Sequence, residues 1–216
     1  MTKTLDQSIN AALTEMKAPS TTANQPNMQA WAAWFRFQTL KDPQLEQMVT
    51  ECARFVRDIK SGAKPRWLTL AGACGVGKTF LAKRIYRWVC ESHIFQTTTM
   101  NDDEFSYSDE WLYWETAAKG LQRNEDPIFH TPRTKFAVID DIGASRDNTG
   151  HATNQLAILL GQRVNKWTLI TTNLNLQQIA ERIDQRVASR IIRDGNTVVE
   201  VDAPDFALRN CVSQNT

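Results

Sequence analysis

Gly72-Ala-Cys-Gly-Val-Gly-Lys-Thr79 gathers three glycines, an ammonium and a hydroxyl into one short run. Glycines let successive backbone N–H groups converge on one anion, and a helix opening behind them adds favourable partial charge. The chemistry this suits is the cradling of a polyphosphate, with Gly72, Ala73, Cys74, Gly75, Val76 and Gly77 forming the loop. Lys78 is then placed to reach the outer phosphates, and the Thr79 hydroxyl to ligate Mg²⁺. The run satisfies G-x-x-x-x-G-K-[ST] in full. It follows the apolar stretch Trp67–Ala71 and opens a predicted helix over Thr79–Glu91, which is the context the pattern requires. The plainer reading is a glycine-rich turn that merely starts a helix. Cys74 is expected to face away from the phosphates.

Phe136-Ala-Val-Ile-Asp-Asp141 is an apolar run ending in two acids. A buried strand beside the loop's own strand would carry Asp140 to the place where a metal and its waters sit. Asp141, one residue on, can orient or deprotonate an attacking water. It can equally cap the turn at Ile142-Gly143. A third apolar run, Trp167–Thr172, ends in the amide Asn173, suited to sensing a terminal phosphate. Arg186 and Arg190 stand four apart on one predicted helix face. A guanidinium can complete a neighbouring active site by stabilising phosphoryl charge, or these arginines can form surface ion pairs with Asp184 or Asp194.

The elements that must position these groups alternate along the chain. Apolar runs at Trp67–Ala71, Phe136–Asp140, Trp167–Thr171 and Thr197–Val201 read as strands separated by helices, the mark of a parallel α/β sheet. A further strand is expected between Ile94 and Tyr107. Before the sheet, Leu45, Met48, Val49, Cys52, Phe55, Val56 and Ile59 recur at helical spacing after Asp42-Pro43, and Ser61-Gly62 ends that helix. Trp31, Trp34, Phe35 and Phe37 crowd a shorter helix. Residues 1–26 read as an amphipathic helix carrying Leu5, Ile9, Leu13 and Met16 on one face, then a polar linker. Residues 27–210 read as the main domain and 211–216 as a tail.

The order of these parts resembles the AAA+ ATPases of the DnaC/IstB type, helicase loaders and transposition helpers, over about Phe37 to Arg209. Gly72–Thr79, Phe80-Leu-Ala82, Val138–Gly143, Ile170–Leu174, Arg186–Arg190 and Asp205–Arg209 carry the likeness. It implies a five-stranded parallel sheet flanked by helices without a C-terminal lid, ATP and Mg²⁺ as cofactors, and ATP-dependent self-assembly. It also implies single-stranded DNA held in the interior and a replicative helicase gripped by an N-terminal element, for which Leu5–Met16 is the candidate. The resemblance makes Asn173 the sensor and favours Arg186 over Arg190 as the arginine finger. An extra helical element that faces DNA in that family corresponds to Asp109–Leu121. There Trp111, Tyr113, Trp114 and Lys119 offer rings and a charge for unpaired bases. Trp111, Trp114, Ala118 and Leu121 also fall on one stripe, which is equally a core face.

Three departures stand out. Asp141 occupies a place where many AAA+ proteins have glutamate, so slow hydrolysis and a switch-like ATP state are expected. The N-terminal region has no cysteine cluster, which excludes a zinc-bearing domain there. The acid-rich stretch Asn101–Glu104 looks like an insertion.

Composition sets the outer bounds. With 216 residues the chain suits one α/β domain and a short appendage, and 42% apolar with 23% charged residues is ordinary globular composition. No apolar run spans a bilayer and the first residues carry no signal-peptide core, so a cytoplasmic location is expected. Cys52, Cys74, Cys90 and Cys211 are scattered, against a disulfide framework. A net charge of +1 restricts any DNA contact to a local patch. The leading expectation is an ATP-dependent helicase loader. An IstB-type helper that binds duplex DNA and recruits a transposase is the alternative. A small-molecule kinase is a third, although no acceptor site or lid is visible.

Overall fold

The computed structural model describes residues 43–95, 109–123, 125–144, 147, 149–193 and 195–203. The Leu5–Met16 segment, the aromatic run at Trp31–Phe37, the Asn101–Glu104 stretch, Asp194, Cys211 and the Asp205–Arg209 motif lie outside the described residues.

Helix α1 spans Pro43–Lys60. The seven apolar residues read as its inner stripe, from Leu45 to Ile59, are all buried. Gly62 ends the helix in the left-handed region at φ 67°, and its N–H returns to the Ile59 carbonyl. Strand β1, Trp67–Gly72, leads through the glycine loop into α2, Lys78–Ser92. Strand β2 is Asp109–Tyr113 and runs directly into α3, Trp114–Gln122. A single 3-10 turn at Thr131–Arg133 precedes β3, Phe136–Ile142. The chain continues through α4 (His151–Gln162), β4 (Trp167–Thr172), α5 (Leu176–Arg182), α6 (Gln185–Ile191) and β5 (Thr197–Val201).

The five strands pair in parallel in the order β2-β3-β4-β1-β5. Strands covered on both faces need continuous apolar runs. Accordingly β4 is buried at every residue and β1 at all but Gly72. One core lies under α1 and α2, where Phe55 meets Trp167 edge to face with ring centroids 5.3 Å apart. The other lies under α3, α4, α5 and α6, with Leu156, Leu160, Ile179 and Val187 at its centre. Gly72, at φ 144°, runs so close to β5 that a Cβ there would sit 2.1 Å from the Val201 carbonyl oxygen.

One expectation changes. The window from Ile94 to Tyr107, where a strand was sought, lies beyond Phe95 outside the described residues; the fifth strand among the described residues is Asp109–Tyr113, and the predicted helix over Asp109–Leu121 is that strand followed by α3. Edge position explains the change. An edge strand tolerates the acids Asp109 and Glu110 that a central strand would exclude, while the aromatic spacing on either side of Tyr113 imitates a helix.

Sequence reasoning also missed Arg163. It is fully buried at the end of α4, where Nη1 donates to the carbonyls of Thr131 (2.7 Å) and Thr134 (3.0 Å). Nε donates to Thr168 Oγ1 at 2.9 Å and Nη2 to the Trp167 carbonyl at 2.5 Å. One planar fork thus ties the 3-10 turn to the start of β4. Among the described residues no helix is long and apolar enough to cross a membrane.

Candidate phosphate and metal site

The motif residues converge at the C-terminal ends of β1, β3 and β4. Gly75 and Gly77 adopt φ 75° and 97°, left-handed values that suit glycine. Gly77 caps α2 without a side-chain acceptor, and a Cβ built on it would meet nothing within 4 Å. The first N–H groups of α2 thus receive no side-chain cap from Gly77 and have helix partial charge behind them. Those are the terms on which such an end takes an anion.

Lys78 is 6% exposed. Its Nζ donates to the carbonyls of Gly72 (2.8 Å) and Ala73 (2.7 Å) and to Asn173 Oδ1 (2.8 Å). Burial lowers its pKa, while the nearby carboxylates of Asp141 and Asp140 act to raise it. Cys74 is exposed. Beside the lysine, Thr79 Oγ1 donates to Asp140 Oδ1 at 3.0 Å. A hydroxyl and a carboxylate are hard oxygen donors, so Thr79 and Asp140 fit a Mg²⁺ ion that keeps most of its water.

Asp141, expected one residue beyond a strand ending at Asp140, lies inside the strand. The strand continues to buried Ile142, and the pairing of β3 with β4 steps from Ile139↔Ile170 to Ile142↔Thr172. Three residue steps on β3 thus match two on β4, which is a β-bulge. Within it Asp141 takes φ 62°. Aspartate enters the left-handed region more readily than longer side chains do, which gives a local reason for aspartate rather than glutamate here. Its Oδ1 accepts from Asn173 Nδ2 at 3.0 Å. Burial raises its pKa and the neighbouring Asp140 raises it further, against the pull of Lys78. A half-buried carboxylate of raised pKa is a suitable proton acceptor.

No protein-family model and no curated protein sequence matches the chain. Solved structures do match. The DnaC helicase loader superposes at TM-score 0.57 with 20% identity, covering 75% of this chain and 92% of that one. DnaI gives the same TM-score and identity over 89% of this chain and 92% of its own. A replication initiator DnaA bound to AMPPCP and single-stranded DNA gives 0.52 at 12% identity, covering 75% and 50%. The fold is that of an AAA+ domain.

Within this fold the two candidate arginines part ways. Arg186 is exposed at the start of α6, its Nη2 2.8 Å from Asp184 Oδ2. Asp184 also caps the helix by accepting the Arg186 N–H at 2.6 Å. The guanidinium holds the Asp184 carboxyl below its usual value. Arg190 turns inward instead: its Nη1 donates to the Ala157 carbonyl of α4 at 2.5 Å, beside Gly161.

The aromatic candidates for base stacking separate similarly. Trp114 is 4% exposed and belongs to the core with Ala118 and Leu121. Trp111 stands on β2, half-buried and edge-on to Tyr86 at 5.5 Å. Tyr113, 50% exposed, and Lys119, ion-paired with Glu115 at 2.7 Å, face solvent. A cavity of about 390 Å³ lined by Gly143, Asp147, Thr153, Leu174 and Arg182 lies next to the end of β3.

Proposed function

We propose that the chain is a Mg²⁺-dependent AAA+ ATPase of DNA replication that loads a ring helicase onto single-stranded DNA. The observation that carries this reading is the meeting of Lys78, Thr79, Asp140, Asp141 and Asn173 at one corner of the sheet. The α2 N-terminus and Lys78 bind the β- and γ-phosphates of ATP. Thr79 and Asp140 hold the metal, which when bound neutralises charge on the transferring phosphoryl group. Asp141 takes a proton from the attacking water, and Asn173 orients that carboxylate. Arg186, exposed and held outward by Asp184, completes the site of a neighbouring copy, so assembly and hydrolysis depend on each other.

Support for the replication role comes from the similar structures, one of them a helicase loader and one a replication initiator bound to single-stranded DNA. Tyr113 and Lys119 are the exposed residues best suited to unpaired bases, through ring stacking and phosphate attraction. Leu5–Met16 is the candidate grip on the helicase.

The test is fluorescence anisotropy with labelled single-stranded and duplex DNA, with and without ATP, at two salt concentrations, followed by capture of a hexameric helicase. Tight ATP-dependent binding to single strands with helicase capture is the expected result. Preference for duplex, with filaments and no helicase contact, would overturn the loader reading in favour of a transposition helper.

A further inference from the structure

Thr171 sits on β4 directly across from the bulge. The register pairs Ile139 with Ile170 and Ile142 with Thr172, so Thr171 alone faces both Asp140 and Asp141. It is 1% exposed, and both hydrogen-bonding capacities of its hydroxyl are engaged. Oγ1 accepts the Asp141 N–H at 2.9 Å and donates to Asp140 Oδ1 at 2.6 Å.

These two bonds constrain each other. A hydroxyl has one proton, and acceptance from a fixed backbone N–H leaves that proton to point at Asp140. The β-branched side chain in a strand also has little rotational freedom, so the oxygen's position follows the β4 backbone. Thr79 Oγ1 reaches the same oxygen, Asp140 Oδ1, at 3.0 Å. The Asp140 carboxylate is thereby gripped from both sides, by β4 and by the first turn of α2. At Asp141 the grip is on the main chain. The left-handed turn at φ 62° stays put because its N–H is tied to β4, and the carboxylate therefore projects toward Asn173.

We propose that Thr171 is the positioning residue of this site: one hydroxyl sets the orientation of the metal-holding acid and the backbone of the water-activating acid together. The proposal rests on the Mg²⁺–nucleotide reading above and adds to it a residue that touches neither metal nor substrate. Partners that orient a metal ligand typically govern metal affinity by about ten- to a hundredfold. A buried threonine with a purely structural role would affect folding stability and leave metal dependence alone.

The experiment compares wild type, Thr171→Val and Thr171→Ser. Calorimetry measures ADP affinity with and without Mg²⁺, and thermal melting is followed in parallel. Valine keeps the shape and removes the hydroxyl, whereas serine keeps the hydroxyl. The expected result is a Mg²⁺-dependent gain in affinity reduced about tenfold in the valine variant and largely restored in the serine variant. ADP affinity without Mg²⁺ stays at the wild-type level in both. Should the valine variant not fold, Thr171→Cys substitutes a weak donor and is expected to shift the gain in the same direction.

An undiminished gain in the valine or cysteine variant overturns the proposal, whatever happens to the melting temperature, and leaves the nucleotide reading standing. If wild type itself shows no gain from Mg²⁺, the nucleotide reading fails and the proposal falls with it.

Discussion

The ammonium of Lys78 lies 2.8 Å from Oδ1 of Asn173, and the same amide donates through Nδ2 to Asp141 Oδ1 at 3.0 Å. Asn173 thus bridges the cation of the glycine loop and the acid of the bulge, and a phosphate approaching Lys78 competes for a bond that the amide holds. Replacing Lys78 with alanine removes charge-assisted bonds to phosphate, and nucleotide affinity is expected to fall about a hundredfold. Asn173→Ala should leave affinity no weaker and cut kcat by about a hundredfold. Calorimetric Kd and steady-state hydrolysis separate the two. Weakened binding in the Asn173 variant would show that the amide acts on the ground state.

Asp141→Asn preserves the acceptor for Asn173 and the tolerance for a left-handed backbone but removes the proton-accepting charge. Hydrolysis should drop by at least about a hundredfold with binding retained. Stability should move the other way. Burial and Asp140 raise the folded-state pKa of Asp141 above its ordinary 3.8, so the folded protein resists ionisation of this group. That cost is absent below the unfolded value, where the carboxyl is protonated in both states. It grows as pH rises through the raised folded value and is constant above it. The asparagine variant should therefore melt higher than wild type at neutral pH, with the gap closing in acid. Equal melting points at neutral pH would mean the site carries no such repulsion.

Arg186→Ala should bind ATP as wild type does and lose hydrolysis by about a thousandfold. Mixing it with Lys78→Ala should restore activity, because each copy supplies what the other lacks. No recovery on mixing would remove the finger assignment. Arg190→Ala acts within one copy, since its guanidinium bonds the Ala157 carbonyl. Its expected effect is a loss of about 1 kcal/mol in denaturant unfolding.

Arg163→Ala strands the carbonyls of Thr131, Thr134 and Trp167 that the guanidinium now satisfies. A loss of about 3 kcal/mol is expected by urea unfolding. A loss below about 1 kcal/mol would mean that water replaces the side chain at little cost.

Four of the five strands were legible because Trp67, Phe136, Trp167 and Thr197 each open a run that is mostly apolar or β-branched. β2 was not, since its leading acids are tolerated only at an edge and no alternation marks them. The loop, the paired acids and the amide could be read from type and spacing. The bulge could not, because Asp-Asp-Ile is compatible with a strand end, a turn or a kink until β4 is laid beside it. Arg163 escaped for a related reason. An arginine in the polar run Gln162–Lys166 looks solvated, and only the carbonyls that surround it make it a core residue.

Gly72 combines a φ of 144° with the Val201 carbonyl oxygen where a side chain would begin. Both constraints come from the sheet, and neither involves phosphate. A descendant of this chain that abandoned nucleotide chemistry could let Lys78 and Thr79 drift, yet it would still be purged of every substitution at Gly72. The first glycine of the motif is thus inherited as a record of architecture, and the lysine and threonine as a record of activity.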